Sequence, residues 1–118
     1  MNISFSLTTH QIREKTKFVT RRNGWKKAKK GQVLNACVKC MGLKKGEKIE
    51  EICKIRLIHV RREKLNQMTY FPIYGRLECV AEGFPHLTPE KFVEMYCKHM
   101  NVNPEDEVTR LQFEYVED

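Results

Sequence analysis

A chain of 118 residues has room for one domain with a single core and is too short for two. Its 41% hydrophobic and 31% charged residues exclude a disordered polymer, and no apolar run approaches the ~18 residues that cross a bilayer. The net charge of +7 conceals a division: residues 1–77 carry 19 Lys and Arg against 5 acids, and residues 78–118 carry 3 against 10.

The first segment, Met1 to Leu7, has no basic start and no long apolar stretch, so it does not read as a signal peptide. A cytoplasmic location is the expectation. Ile3, Phe5 and Leu7 alternate with Asn2, Ser4 and Ser6, the pattern of a half-buried strand. Thr8 or Thr9 can cap a short helix over roughly 9–15. Lys17 to Arg22 is rich in β-formers and predicts a second strand, and Asn23-Gly24 predicts a turn. Trp25 and the basic loop Lys26 to Lys30 follow. Leu34, Ala36, Val38 and Cys40 share one face of a third strand, and Gly42 to Lys48 reads as a loop.

Ile49 to Arg62 predicts a long strand. Its apolar positions run Cys53, Ile55, Leu57 and then change parity to Ile58 and Val60, which predicts a bulge or bend near Leu57. Residues 63–78 are irregular in pattern, and Tyr70 to Gly75 reads as an aromatic loop. Thr88 as N-cap and Pro89 at the first position open a helix whose apolar stripe is Phe92, Val93, Tyr96 and Met100. After a loop over 101–107, Leu111, Phe113 and Tyr115 alternate in a last strand. These elements predict one α+β domain over residues 1–118, a small β-barrel of about five or six strands with two or three short helices at its mouth.

The densest basic stretch, Arg13 to Lys30, holds nine cations and one acid, Glu14. Such a stretch concentrates polyanions, so RNA, single-stranded nucleic acid or a nucleotide is the expected partner, with a merely solvated surface as the alternative. Arg21, Arg22, Trp25, Lys26, Lys27, Lys29 and Lys30 are the candidate contacts. Tyr70 and Tyr74 either stack on bases or cover one end of the barrel. The five cysteines are an odd number. Cys37 and Cys40 form a CxxC pair with no second cluster, so buried thiols are expected rather than zinc ligands. No His pair has ligand spacing. No metal and no cofactor are expected, no membrane partner, and a monomer.

Lys17-Phe18-Val19-Thr20-Arg21-Arg22 packs an amine, a hydroxyl and two guanidiniums together. On a regular strand Lys17 and Thr20 point to opposite faces, so a strand end, bulge or turn is needed for them to converge. Thr16 to Arg22 resembles the Thr-Lys-x-x-Thr-x-Arg element of the ASCH family, whose fold is similar to that of PUA domains. Gly31-Gln32-Val33-Leu34 resembles the family's Gly-Asp-x-Leu turn, with Gln32 in place of the acid. Ala81-Glu82-Gly83-Phe84 resembles its Glu-Gly-Phe segment, and Thr109 to Tyr115 its closing strand.

The resemblance implies a PUA-like barrel with a basic cleft that holds RNA or single-stranded nucleic acid. It implies, as the alternative, an amidohydrolase that removes an acyl group from the exocyclic amine of a cytidine nucleoside. Lys17, Thr20 and Glu82 would then be catalytic and Arg22 would bind substrate. A ribonuclease is the weaker third reading. The chemistry suits those residue types. A Thr hydroxyl attacks a carbonyl only when a neighbouring base takes its proton, and a Lys of lowered pKa is such a base. Glu82 would orient the Lys or pass a proton to the leaving amine. An ion pair that kept Lys17 charged would instead make the trio structural.

Overall fold

A computed structural model describes residues 1–117. In chain order the elements are β1 (Asn2–Ser4), α1 (Thr9–Arg13), β2 (Val19–Arg22), β3 (Val33–Cys37), β4 (Glu51–Lys64), α2 (Gln67–Tyr70), α3 (Pro72–Ala81), α4 (Pro89–Met100) and β5 (Glu107–Tyr115). The α+β class holds. Among the described residues no helix is long and apolar enough to cross a membrane.

The strands form one sheet in the order β1-β3-β4-β5-β2. Only β1 and β3 run parallel; every other pair is antiparallel. The register between β4 and β5 shifts between Leu57 and His59, where two steps along β4 match one along β5. The bulge read from the parity change is therefore present, and it adds twist at the middle of the longest strand.

The sheet does not close into the expected barrel. The short edge strands β1 and β2 make no ladder with each other. Instead the Arg22 guanidinium of β2 reaches across and donates to the carbonyl of Ser4 in β1 at 2.6 Å. Polar side chains occupy the gap where a backbone ladder would have completed the barrel.

Four helices form rather than two or three. Residues 63–78 hold the end of β4, all of α2 and most of α3. Pro72 sits at the start of α3, where its missing N–H costs nothing. Gly75 lets α3 approach α2: a Cβ there would lie 1.9 Å from the carbonyl oxygen of Met68. The expected aromatic loop is thus the α2–α3 junction and the first turn of α3. The α4 cap forms as expected, with the Thr88 side chain accepting from the Lys91 amide.

Two apolar clusters hold the fold. Ile3, Phe5, Ile12, Leu34, Ile55, Leu57, Leu111 and Phe113 fill the concave side of the sheet. Leu65, Met68, Cys79, Phe92, Val93, Tyr96 and Val108 seat α2, α3 and α4.

Candidate functional site

The α1–β2 connection positions Lys17. Lys15 takes a left-handed φ of 58°, and the Thr16 amide donates to the Gln11 carbonyl at 2.9 Å. β2 starts only at Val19, so Lys17 stands outside the alternation of the strand. Its backbone is held by the Tyr115 hydroxyl, which donates to the Lys17 carbonyl at 2.6 Å. The next amide, Phe18, donates to Ala81 at the end of α3 at 2.7 Å. The last turn of α3 therefore lies directly against this segment.

Glu82 follows that last turn. Lys17 Nζ donates to the Glu82 carbonyl oxygen and to its carboxylate Oε1, both at 2.7 Å, and both side chains are buried. Gly83 makes the turn possible. Its φ is +92°, and a Cβ there would lie 2.8 Å from Gln11 Cγ.

Arg21 lies on the opposite face of β2 from Thr20 and ties the sheet to α3. Its Nη1 donates to Glu82 Oε2 at 3.0 Å and its Nη2 to Glu78 Oε1 at 2.6 Å and to Tyr74 Oη at 3.1 Å. Arg110 also donates to Glu78, through Nη2 at 3.0 Å and through Nε. Burial alone would raise the Glu78 pKa, but the Arg110 and Arg21 guanidiniums outweigh it and hold the carboxyl at about 2.

Arg22 carries a different load. Its Nε donates to Thr20 Oγ1 at 3.1 Å, and its guanidinium lies 4.9 Å from the centre of the Phe5 ring. Among the described residues no carboxylate pairs with it. Because Thr20 Oγ1 accepts from Arg22, its own proton is available to another acceptor.

Burial pushes the Lys17 pKa down from its ordinary value. The Glu82 carboxylate opposes that shift, while Arg22 and Arg21 reinforce it. A neutral Lys17 amine has two N–H bonds, which the two Glu82 oxygens accept, leaving its lone pair free.

These groups share one cavity of about 700 Å³ between β1, β2 and α4, a size ordinary for small-molecule sites. Lys17, Thr20, Arg21, Arg22 and Glu82 line it. Phe5, Trp25, Phe84, Phe92 and Tyr96 give it aromatic walls. The turn of Lys39, Cys40 and Met41 borders it as well. Trp25 holds a left-handed φ of 59°, costly for a bulky residue, and packs against the sheet core.

The remaining candidates lie elsewhere. Lys26, Lys29 and Lys30 join His59, Arg61 and Arg62 around a second hollow of about 470 Å³. Lys26, Lys27 and Trp25 border a third of about 450 Å³. Tyr70 is exposed at the end of α2. Tyr74 lines none of these hollows. Its hydroxyl donates to Glu63 at 2.7 Å, and burial with that bond pushes its pKa up to about 12. It is a member of the ion network rather than a stacking platform. Cys37 is buried, with its pKa pushed up to about 11 by burial and by the nearby Cys40. Among the described residues no three His, Cys, Asp or Glu side chains gather as a metal-ligand set.

Sequence reasoning passed over Glu78 and, Trp25 apart, the aromatic walls of the cavity. Glu78 stands one helical turn before Glu82, a spacing that puts both acids on one face once α3 is read as a helix.

No family model matches this chain, and no curated protein sequence matches it. Among solved structures, protein EF3133 from Enterococcus faecalis V583, described as family-model DUF984, superposes with a TM-score of 0.54. The match covers 91% of this chain and 68% of that one at 14% sequence identity. What the two proteins share is the fold.

Proposed function

We propose that this chain is an ASCH-type domain that hydrolyses an acyl amide on a nucleoside base, with Lys17, Thr20 and Glu82 as its catalytic set. The observation that carries this reading is the buried Lys17–Glu82 pair, opening with Thr20 into one aromatic-walled cavity. Burying a lysine beside a carboxylate in a cleft is costly for stability and is the arrangement that tunes a base for catalysis. The aromatic walls suit the flat faces of a base.

In this mechanism Thr20 Oγ1 attacks the acyl carbon as Lys17 takes its proton. The C–N bond breaks, and the Lys17 ammonium returns the proton to the leaving exocyclic amine. Water, deprotonated by Lys17, then attacks the Thr20 ester, the acyl C–Oγ1 bond breaks, the Lys17 ammonium returns its proton to Thr20 Oγ1, and the acid is released. Glu82 holds the Lys17 amine in place throughout. Arg22 stabilises negative charge on Thr20 and on the carbonyl oxygen.

The test is release of acetate and cytidine from N4-acetylcytidine by the purified chain. Lys17→Met and Glu82→Gln are expected to lower kcat/KM by about 10²–10⁴-fold while the circular dichroism stays native. Absence of turnover in the wild-type chain across N4-acyl cytidines, or undiminished rates in both variants, sinks the reading.

A second reading, binding of RNA or single-stranded nucleic acid, is favoured by the basic hollow. Lys26, Lys29, Lys30, His59, Arg61 and Arg62 border it, and no carboxylate does. Arg61 and Arg62 are ion-paired with Glu63 and Glu107, so the three lysines are what would attract a phosphate backbone there.

A further inference from the structure

We infer that two copies of this chain pair through the outward face of α3. The inward face of this helix buries Gly75, Glu78 and Cys79. The outward face carries Ile73, Leu77 and Val80, at positions i, i+4 and i+7, exposed by 80%, 65% and 52%. The stripe continues at both ends. Tyr70 and Phe71, each more than half exposed, precede it at the α2–α3 junction. Phe18, nearly half exposed, adjoins its last turn through the Phe18–Ala81 hydrogen bond.

The patch is large for a lone domain. These six side chains expose on the order of 700 Å² of mostly apolar surface, more than the largest patch of a typical monomer. The same area is close to what each partner contributes to a standard stable interface. A second copy is the occupant that fits. A straight apolar stripe on a helix is complementary to itself across a two-fold axis, where i, i+4 ridges pack into the grooves of the facing helix.

Charge permits the pairing. The two acids at the C-terminal half of α3, Glu78 and Glu82, turn inward and are neutralised by Arg21, Arg110 and Lys17. Within α3 itself, Arg76 is the exposed charged side chain, and its long stem can lie along apolar surface with its charge at the rim. None of the three hollows is lined by Ile73, Leu77 or Val80, so the pairing leaves them open.

Sedimentation velocity between 1 and 100 µM tests this. The wild-type chain is expected to reach twice its 14.0 kDa mass within that range. Leu77→Glu and Ile73→Glu, both at exposed positions, are each expected to weaken dimerisation at least 100-fold, with an unfolding midpoint equal to that of the wild type at concentrations where the wild type is monomeric. Val33→Glu, at an exposed position on β3 outside the patch, is expected to dimerise normally. A wild-type chain that stays monomeric at 100 µM overturns the inference, as does a dimer that survives either substitution undiminished. Neither outcome bears on turnover in the cavity, which the substrate assay reads separately.

Discussion

A lysine gives up several strong hydrogen bonds to water when it is buried, and Lys17 recovers two of them from a single residue, Glu82. Glu82 in turn serves Arg21 through its other carboxylate oxygen, so one acid answers two cations and Arg22 is left with none. Burial depresses the Lys17 pKa against the pull of Glu82, and that surplus of positive charge on Arg22 and Arg21 adds to the depression. The sign of the pH effect follows. A base must be neutral to act, so kcat/KM should rise with pH and level off above the Lys17 pKa, which lies below its ordinary 10.5. Arg22→Met removes one of the cations and should move the midpoint of that rising limb upward, in addition to lowering the plateau. A midpoint that stays fixed or moves down would show that another group titrates. The identity of these residues was legible in the sequence, but their convergence was not. Strand alternation places Lys17 and Thr20 on opposite faces, yet both line the one cavity, with Lys17 lying two residues before the start of β2.

At the scale of elements, the legible features were those with a local chemical signature. The parity change at Leu57 marked a real register break, and Thr88-Pro89 marked a real helix start. α2 and α3 were hidden because a proline and a glycine within four residues look like a loop. Their purpose emerges only in three dimensions, Pro72 at a position that needs no N–H and Gly75 at a contact with no room for a Cβ. Gly75→Ala is therefore expected to destabilise by about 1–3 kcal/mol, although alanine is the better helix former by ~1 kcal/mol. A urea midpoint equal to or above wild type would refute the close approach. The inward face of α3 makes a second prediction. Glu78 has its pKa depressed to about 2, so its contribution to stability is complete above the ordinary carboxylate value near 4.5 and is lost as pH falls through about 2. Glu78→Gln should be less stable than wild type at pH 7, and the difference should shrink as pH drops across that window. A difference that stays constant with pH would assign the role of Glu78 to packing instead.

At the scale of the molecule, the sheet is open, and the cavity lies against its two edge strands. β1 and β2 are the ends of the strand order, and the gap between them is spanned by Arg22 rather than by a ladder. The division of charge along the chain is resolved on two levels. Part is consumed inside, where Glu78 and Glu82 of the acidic half meet Lys17 and Arg21 of the basic half. The rest stays outside, concentrated where Lys26, Lys29 and Lys30 face β4. Composition reported the sum of these two populations and could not separate them, because pairing is set by the fold. The separation gives the outer population its own test. If the hollow tracks a phosphate backbone, each lysine releases about 0.7 of a counterion from a single strand. The Lys26→Ala, Lys29→Ala, Lys30→Ala triple variant should then flatten the slope of log affinity against log salt by about 2 for an unstructured RNA oligomer. An unchanged slope in the triple variant would mean that these lysines only solvate the surface, and would leave the cavity as the sole basis for a nucleoside partner.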